Sequence, residues 1–264
     1  MNMSNSSTAY RSTRNVPALA TAFGNRGTES ILAADDRVLV ASTGEAPWRM
    51  ICSLEIFAGD LQFVGTGWLA GPSTVVTAGH CVIDEQSMGG WATEIRVTPG
   101  RNGTDRRFGS FISRSFSSVS GWVVGKDRDQ DYGAIHLAEP IGDELGWFDT
   151  AALPTSTLNG AHVNVSGYPA DKGNGSEQHY HADKVIRAEN RRIFYEVDTF
   201  GGQSGAPVFL LADASSRPMV VGIHAYGVGG TPTHFGFSAN SGPRITPEVK
   251  GVLQEWTNRS GMLP

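Results

Sequence analysis

The chain has 264 residues, of which 33 are glycine and 13 are proline, and only 18% of its residues are charged. The net charge of −5 argues against a nucleic-acid-binding protein, because such proteins present a basic surface. Hydrophobic residues make up 39% of the chain, which is enough for a buried core, and no apolar run approaches the ~18 residues of a membrane-spanning helix. This composition predicts short strands joined by tight turns.

Residues 1–29 differ from the rest of the chain. They are rich in Ser, Thr and Asn and show no hydrophobic periodicity. They also lack the basic start and the apolar stretch of a signal peptide. We interpret this segment as a leader or propeptide that precedes the folded part of the protein.

From Asp36 onward, apolar runs of about four to nine residues alternate with Gly, Pro, Asn and Asp, a pattern typical of strands and turns. Residues 58–60 predict a hairpin turn between the first two long runs. No long helical pattern lies between the runs, so a parallel βαβ sheet is not expected. The predicted strands include residues 50–57, 61–69, 74–77, 121–124, 133–137, 163–167, 193–197, 206–211 and 219–225.

One helix is predicted near the C-terminus. Thr246 is a suitable N-cap, Pro247 suits the first turn, and Glu248 suits the positive end of the helix dipole. Apolar residues then recur with helical spacing, which predicts one buried face. These residues are Val249, Val252, Leu253 and Trp256.

Three short segments carry residue types that together perform nucleophilic catalysis. His80 follows an apolar run, Asp131 precedes another, and Ser204 lies in a glycine-rich turn. A serine hydroxyl needs a base to activate it, an imidazole can take and return the proton, and a carboxylate orients the imidazole. Asp129 is a second candidate for the carboxylate, but Asp131 has the better distance to the run that ends at Leu137. The glycines before Ser204 would let the N–H groups of Gly202 and Ser204 converge on an oxyanion.

The same segments resemble those of a known family. TAGHC (77–81), DYGAIHL (131–137) and GGQSGAPV (201–208) are similar to the catalytic segments of chymotrypsin-like serine proteases, most closely the bacterial glutamyl endopeptidase (V8-like) branch. Further similar segments are 167–172, 222–224 and 240–246, so the resemblance covers about residues 30–256. It implies an all-β fold of two six-stranded antiparallel β-barrels, formed by 30–145 and 146–264, with a C-terminal α-helix.

The resemblance also implies roles for individual residues. His80 would be the general base, Asp131 the orienting carboxylate and Ser204 the nucleophile. In the glutamyl endopeptidase branch, a hydroxyl five residues before the serine and a histidine on the following strand bind the substrate carboxylate. Thr199 and His224 occupy these positions, and both residue types can donate charge-assisted hydrogen bonds.

Two more substrate contacts follow from the same resemblance. The backbone of Ala225, Tyr226 and Gly227 would pair with the extended substrate. The bond between Glu29 and Ser30 resembles the junction at which the mature chain begins, and the freed α-amino group of Ser30 would help to bind the substrate carboxylate. The alternative is an uncleaved tail in which the glutamate is incidental.

Asp198 argues for a different specificity. It lies six residues before Ser204, where trypsin-like enzymes carry the aspartate that binds Arg or Lys. We therefore keep two alternatives to a secreted endopeptidase that cleaves after Glu, with Asp as a second acidic candidate. One alternative is cleavage after Arg or Lys through Asp198. The other is a catalytically silent binding protein with a protease fold.

The two cysteines are the last feature. In many chymotrypsin-like enzymes the cysteine after the catalytic histidine is disulfide-bonded, but its usual partner position is near Gly65 here. Cys52 lies on the preceding strand, so we predict a Cys52–Cys81 disulfide. His179 and His181 provide too few ligands for a metal site. We expect no cofactor and no metal, protein or peptide substrates, no nucleic-acid or membrane partner, and a monomer.

Overall fold

The computed structural model describes residues 30–32, 34–211 and 218–260. The predicted leader, residues 1–29, lies outside the described residues. Within the described part, the strands form two large sheets and one two-stranded sheet. No helix in these ranges is both long and apolar enough to cross a membrane.

The first large sheet has the strand order β8-β7-β2-β3-β4-β10-β9. Strands β8 and β9 lie at opposite edges of this sheet but are separated in the chain by a single residue, Arg114. One bent strand therefore serves both edges and closes a six-stranded barrel. The strands up to this point of the chain are β1 (Val38–Leu39), β2 (Ile51–Ala58), β3 (Leu61–Gly71), β4 (Thr74–Thr77), β5 (Ile83–Asp84), β6 (Gly90–Trp91), β7 (Glu94–Pro99), β8 (Phe111–Ser113), β9 (Ser115–Ser118) and β10 (Gly133–His136).

The second large sheet is built from β11 (Asp149–Thr150), β12 (His162–Gly167), β13 (His179–Ala188), β14 (Arg192–Tyr195), β15 (Pro207–Leu210), β16 (Met219–Ile223) and β17 (Asn240–Pro243). Its order is β11-β16-β15-β12-β13-β14-β17, and β1 pairs with β13. Bridges from Gly222 to Arg244 and from Tyr226 to Ser241 join its two ends. In sheet order, the six strands β16-β15-β12-β13-β14-β17 thus form a second closed barrel. Strands β1 and β11 pair with this barrel but are not part of its closure.

This arrangement confirms the predicted all-β class with two barrels and a C-terminal helix. The β2–β3 hairpin has the predicted turn, with Ala58 opposite Leu61. Gly59 adopts a φ of 59°, a left-handed conformation that glycine accepts without a steric penalty. The predicted boundary between residues 145 and 146 falls between α3 (Gly142–Leu145) and β11, and it stays a prediction.

The C-terminal helix α5 (Pro247–Ser260) agrees with its sequence pattern. The hydroxyl of Thr246 accepts the N–H of Val249 at 3.2 Å, which is an N-cap. Val249, Leu253 and Trp256 are buried. The helix contacts β3 and β4, so it packs on the first barrel although it follows the second. The other helices in the described residues are single turns, namely α1 (Gly79–Val82), α2 (Ser120–Val123), α3 and α4 (Thr155–Leu158), with 3-10 turns at Trp48–Met50, Arg128–Gln130, Val228–Gly230 and Thr233–Phe235. The strand predicted at residues 121–124 is therefore wrong, because α2 occupies most of that segment.

The predicted Cys52–Cys81 disulfide is wrong in this structure, where both cysteines are buried free thiols. The cause is the register of the β2–β3 hairpin, which places Cys52 opposite Gly67 and Leu54 opposite Gly65. Gly65 is the residue next to Cys81, since a Cβ at Gly65 would lie 3.2 Å from the Cys81 Sγ. Cys52 is therefore two residues, and two cross-strand pairs, away from the position opposite Gly65.

Candidate active site

His80 and Asp131 are brought together by strand pairing within the first barrel. Strands β4 and β10 are antiparallel, with Thr77 opposite Gly133, so the end of β4 meets the start of β10. His80 follows β4 in α1, and Asp131 precedes β10. The Asp131 Oδ1 accepts the backbone N–H of His80 at 2.8 Å, and Oδ2 accepts Nδ1 of the imidazole at 2.8 Å.

The electrostatics of this pair follow from its burial. Asp131 is 0% exposed and His80 is 1% exposed. Burial alone would raise the pKa of Asp131, but the imidazole of His80 and the hydrogen bonds to the carboxylate lower it below its ordinary value. Burial likewise would lower the pKa of His80, and the adjacent Asp131 carboxylate outweighs burial and raises it. The pair therefore favours an ionised carboxylate that stabilises an imidazolium.

Asp129, the competing carboxylate, has a different environment. Its side chain is 36% exposed, and its Oδ1 lies 3.8 Å from Nε of Arg192. Its backbone N–H donates to Asp127. Of the two candidates, Asp131 is the one hydrogen-bonded to His80.

The turn that carries Ser204 is held against the first barrel by Thr66 of β3. The N–H of Thr66 donates to the Ser204 carbonyl at 2.9 Å, and its hydroxyl donates to the Gly202 carbonyl at 2.8 Å. The Cys81 thiol also donates to the Ser204 carbonyl at 3.7 Å. The serine turn of the second barrel thus lies against the residue that follows His80.

Two glycines make this close approach feasible. Gly202 has a φ of 102° and Gly205 a φ of 89°, conformations that residues with a Cβ rarely adopt. A Cβ at Gly205 would lie 2.1 Å from the Thr66 carbonyl oxygen, so no side chain fits there. The sequence signal of glycines around Ser204 therefore has a steric cause.

Thr199 and Ser30 lie together at the other end of this turn. Thr199 is 0% exposed, and its N–H donates to the Ser30 carbonyl at 3.2 Å. The Thr199 hydroxyl has no hydrogen-bond partner among the described residues. Asn240 clamps Ser30, because its Oδ1 accepts the Ser30 N–H at 3.2 Å and its Nδ2 donates to the Ser30 carbonyl at 2.7 Å. Sequence reasoning noted the segment of Asn240 but did not assign this contact.

His224 is buried at the end of β16 and is tied to the serine turn. Its carbonyl accepts the N–H of Gly205 at 2.7 Å, and its N–H donates to Ala206 at 2.9 Å. Its Nδ1 lies 2.7 Å from the hydroxyl of Tyr195, on β14. Sequence reasoning missed Tyr195, because nothing in a strand pattern indicates which residue of a distant strand faces a histidine.

Of the three residues after His224, Tyr226 has contacts that the sequence did not predict. Its N–H donates to the Ser241 carbonyl at 2.9 Å and its own carbonyl accepts from Ser241 at 2.8 Å, so its backbone has a partner within the barrel. Its hydroxyl donates to Oδ2 of Asp131 at 2.5 Å. The N–H of Ala225 also donates to the Ser241 carbonyl, at 3.1 Å, and backbone pairing of Ala225, Tyr226 and Gly227 with substrate stays a prediction.

Asp198 points toward the N-terminal segment. Its Oδ1 accepts the N–H of Leu32 at 2.8 Å, and its Oδ2 accepts the N–H of Asp36 at 3.1 Å. The side chain is almost fully buried. The carboxylate therefore anchors the segment that begins at Ser30.

Asp36, His181 and Asp198 also form a group whose potential ligand atoms all lie within 4.8 Å of one another. Hydrogen bonds already engage several of these atoms. Nδ1 of His181 accepts the N–H of Asp198 at 2.8 Å, and both Asp198 oxygens accept N–H groups. The contacts of the cluster are thus explained by the anchoring of the N-terminal segment.

Comparison with known proteins places this site in a family. The trypsin family model matches residues 39–242. The chain is 42% identical over 235 residues to a glutamyl endopeptidase of Bacillus licheniformis, covering 87% of this chain and 70% of that protein. It is 36% identical over 233 residues to a Bacillus subtilis protein named as an extracellular metalloprotease, covering 87% and 70% of the two chains.

A solved structure agrees with this similarity. A Glu endopeptidase superposes with a TM-score of 0.73 at 27% identity, covering 85% of this chain and 98% of that one. The family match spans most of the chain, including His80, Asp131 and Ser204. The chain therefore belongs to the trypsin family of chymotrypsin-like serine endopeptidases.

Proposed function

We propose that this endopeptidase hydrolyses the peptide bond after glutamate residues, with Thr199 and His224 as the side chains that bind the substrate carboxylate. The orientation of Asp198 carries this proposal. Both of its oxygens accept backbone N–H groups of the N-terminal segment, so this carboxylate serves as an anchor and not as a binding group for Arg or Lys. The 42% identity to a glutamyl endopeptidase supports the same specificity.

The hydrogen bond from Tyr195 sets the donor that His224 offers. When the phenol donates to Nδ1, the proton of a neutral imidazole is on Nε2, which then donates to a carboxylate. The Thr199 hydroxyl supplies a second donor. Cleavage after Glu29 would add a third donor, the α-amino group of Ser30. Ser30 is positioned near Thr199 because it is hydrogen-bonded to both Thr199 and Asn240.

The reaction uses the His80–Asp131 pair and Ser204. The Ser204 hydroxyl attacks the substrate carbonyl carbon while His80 takes its proton, and Asp131 stabilises the imidazolium. The N–H groups of Gly202 and Ser204 donate to the resulting oxyanion. His80 returns the proton to the departing amine, and water then hydrolyses the acyl-enzyme by the same steps. No cofactor takes part in this chemistry.

The biological setting is part of the same proposal. We expect a secreted enzyme, because its relatives include a protein named as extracellular. We also expect it to act on proteins or peptides as a monomer. We also expect residues 1–29 to be removed as a propeptide. N-terminal sequencing of active enzyme checks this, since a mature chain that begins at Ser30 supports the proposal and an intact Met1 contradicts it.

The specificity is tested with four peptides that differ only at the residue before the scissile bond, which is Glu, Asp, Gln or Arg. We expect the highest kcat/KM for Glu, a lower value for Asp, and little cleavage of Gln, which lacks the charge. Ser204→Ala is the matched inactive control. Faster cleavage of the Arg peptide would establish the trypsin-like alternative.

A fluorophosphonate probe tests for a silent binding protein. The probe reacts with an activated serine and does not need a glutamate. We expect stoichiometric labelling of the wild-type chain and none of Ser204→Ala. Absence of labelling in the wild-type chain after removal of residues 1–29 would favour the non-catalytic alternative.

A further inference from the structure

Tyr226 makes a contact that the roles assigned so far do not explain. Its ring is 1% exposed, and its hydroxyl donates to Oδ2 of Asp131 at 2.5 Å. The same Oδ2 accepts Nδ1 of His80, and Oδ1 accepts the His80 backbone N–H. Three donors therefore surround a carboxylate that is 0% exposed.

The donors come from different parts of the fold. His80 and Asp131 belong to the first barrel, and Tyr226 follows β16 of the second, where its backbone is paired with Ser241. Without the phenol, the two remaining donors of this set would both belong to His80. A hydrogen bond to a buried charge is also stronger than a neutral one, because little water competes for it.

Two arginines hold the ring of Tyr226. The guanidinium carbon of Arg192 lies 4.6 Å from the ring centroid, and that of Arg128 lies 5.2 Å from it. Arg192 is on β14 and is itself buried, and Arg128 is in the 3-10 turn just before Asp131. Cations over the ring face are attracted to it electrostatically and draw electron density from the ring, which strengthens the phenol as a donor.

We propose that Tyr226 is a positioning residue, which fixes the Asp131 carboxylate so that His80 is held in the orientation and tautomer needed to activate Ser204. This proposal rests on the proposed roles of His80, Asp131 and Ser204. The phenol acts on the carboxylate and does not contact the reacting atoms. Its loss should therefore lower the rate of the chemical step and leave substrate binding unchanged.

The test compares Tyr226→Phe with Tyr168→Phe. The Tyr168 hydroxyl is also buried, but it donates to the Ile51 carbonyl at 3.3 Å, away from Asp131. For Tyr226→Phe we expect kcat with a Glu peptide to fall about 10- to 100-fold, the range for losing a hydrogen bond to a charged group, with KM within about twofold of wild type. For Tyr168→Phe we expect kcat to be unchanged. Its melting temperature should decrease about as much as that of Tyr226→Phe, because each variant loses one buried hydrogen bond.

The fluorophosphonate labelling rate separates this proposal from the proposed specificity. Labelling should slow in Tyr226→Phe by a similar factor whichever residue the enzyme prefers before the scissile bond. If the wild-type chain and Tyr226→Phe react with the probe equally fast, the proposed role of Tyr226 is contradicted and the proposed function is not. A wild-type chain that neither labels nor cleaves overturns the proposed function as well. Equal losses of kcat in both tyrosine variants, or a loss confined to KM, also overturn the positioning role.

Discussion

Two parts of this site are assembled in different ways. The proposed catalytic end contains His80 and Asp131, and the proposed specificity end contains Thr199 with Ser30 and Asn240. His80 and Asp131 are placed by the register of two adjacent strands, β4 and β10, within one barrel. The specificity end joins segments far apart in the chain, because Thr199 and Asn240 both bind Ser30. The His80–Asp131 pair therefore depends on local strand pairing, whereas the proposed recognition of substrate would depend on docking of the N-terminal segment. Variants at the two ends should affect different kinetic constants.

The largest expected effect is at the catalytic end. Asp131→Asn should lower kcat for a Glu peptide by about 10⁴-fold. The neutral amide does not stabilise the His80 imidazolium, and it allows His80 to adopt the tautomer that cannot accept the Ser204 proton. Asp129→Asn is the matched control, since its carboxylate is partly exposed and lies 3.8 Å from Arg192. We expect this control to stay within about twofold of wild type. A larger loss in Asp129→Asn than in Asp131→Asn would reverse the assignment.

The next largest expected effect is on the stability of the first barrel. Gly65→Cys places a sulfur next to the Cys81 thiol, because a Cβ at Gly65 would lie 3.2 Å from that Sγ. The disulfide would close a loop of about 15 residues and raise the free energy of unfolding by about 3 kcal/mol, provided the bond forms without strain. The Glu-to-Asp selectivity should stay constant, since the new bond lies within the first barrel.

Denaturant unfolding with and without reductant measures this effect, and mass spectrometry of the unreduced protein checks the bond. The wild-type chain is the control and should titrate as two free thiols after denaturation. Two oxidised cysteines in the wild type would instead restore the Cys52–Cys81 pair, and they would mean that the hairpin register differs from the one described here.

Sequence reasoning succeeded where a feature has a local chemical signature. The segments around His80, Asp131 and Ser204, which predicted the family, the hairpin at Gly59 and the cap at Thr246 are all short-range patterns. The register of β2 against β3 has no such signature, and an error of two cross-strand pairs produced the wrong disulfide. The same is true of Tyr195, Asn240 and Asp198. The contacts of Tyr195 with His224, of Asn240 with Ser30 and of Asp198 with Leu32 span 29, 210 and 166 residues, and only the complete fold brings these residues together.

A smaller effect is expected from loss of the Asn240 side chain at the proposed specificity end. Asn240→Ala removes three hydrogen bonds, two to Ser30 and one to the Val197 carbonyl. Each contributes about 1 kcal/mol, so the loss of all three predicts a decrease of about 100-fold in kcat/KM for a Glu peptide, mainly through KM. Asn159→Ala is the control, because its side chain accepts the Ala188 N–H at 2.7 Å, a hydrogen bond in which Ser30 takes no part. A loss in kcat at constant KM would mean that docking of Ser30 supports the chemistry and not recognition.

The smallest expected effect is a shift in the pH profile, and it tests the catalytic pair directly. Activity requires the neutral form of His80, and Asp131 raises the pKa of this imidazole above its ordinary value of 6.5. The acid limb of kcat/KM should therefore have its midpoint above pH 6.5, and activity should be lost as the pH falls through it. In Asp131→Asn the opposing charge is absent and burial dominates, so the midpoint should move to lower pH. Because the pair is buried, raising the salt concentration should leave the wild-type midpoint in place, whereas a midpoint that moves with salt would indicate an exposed partner.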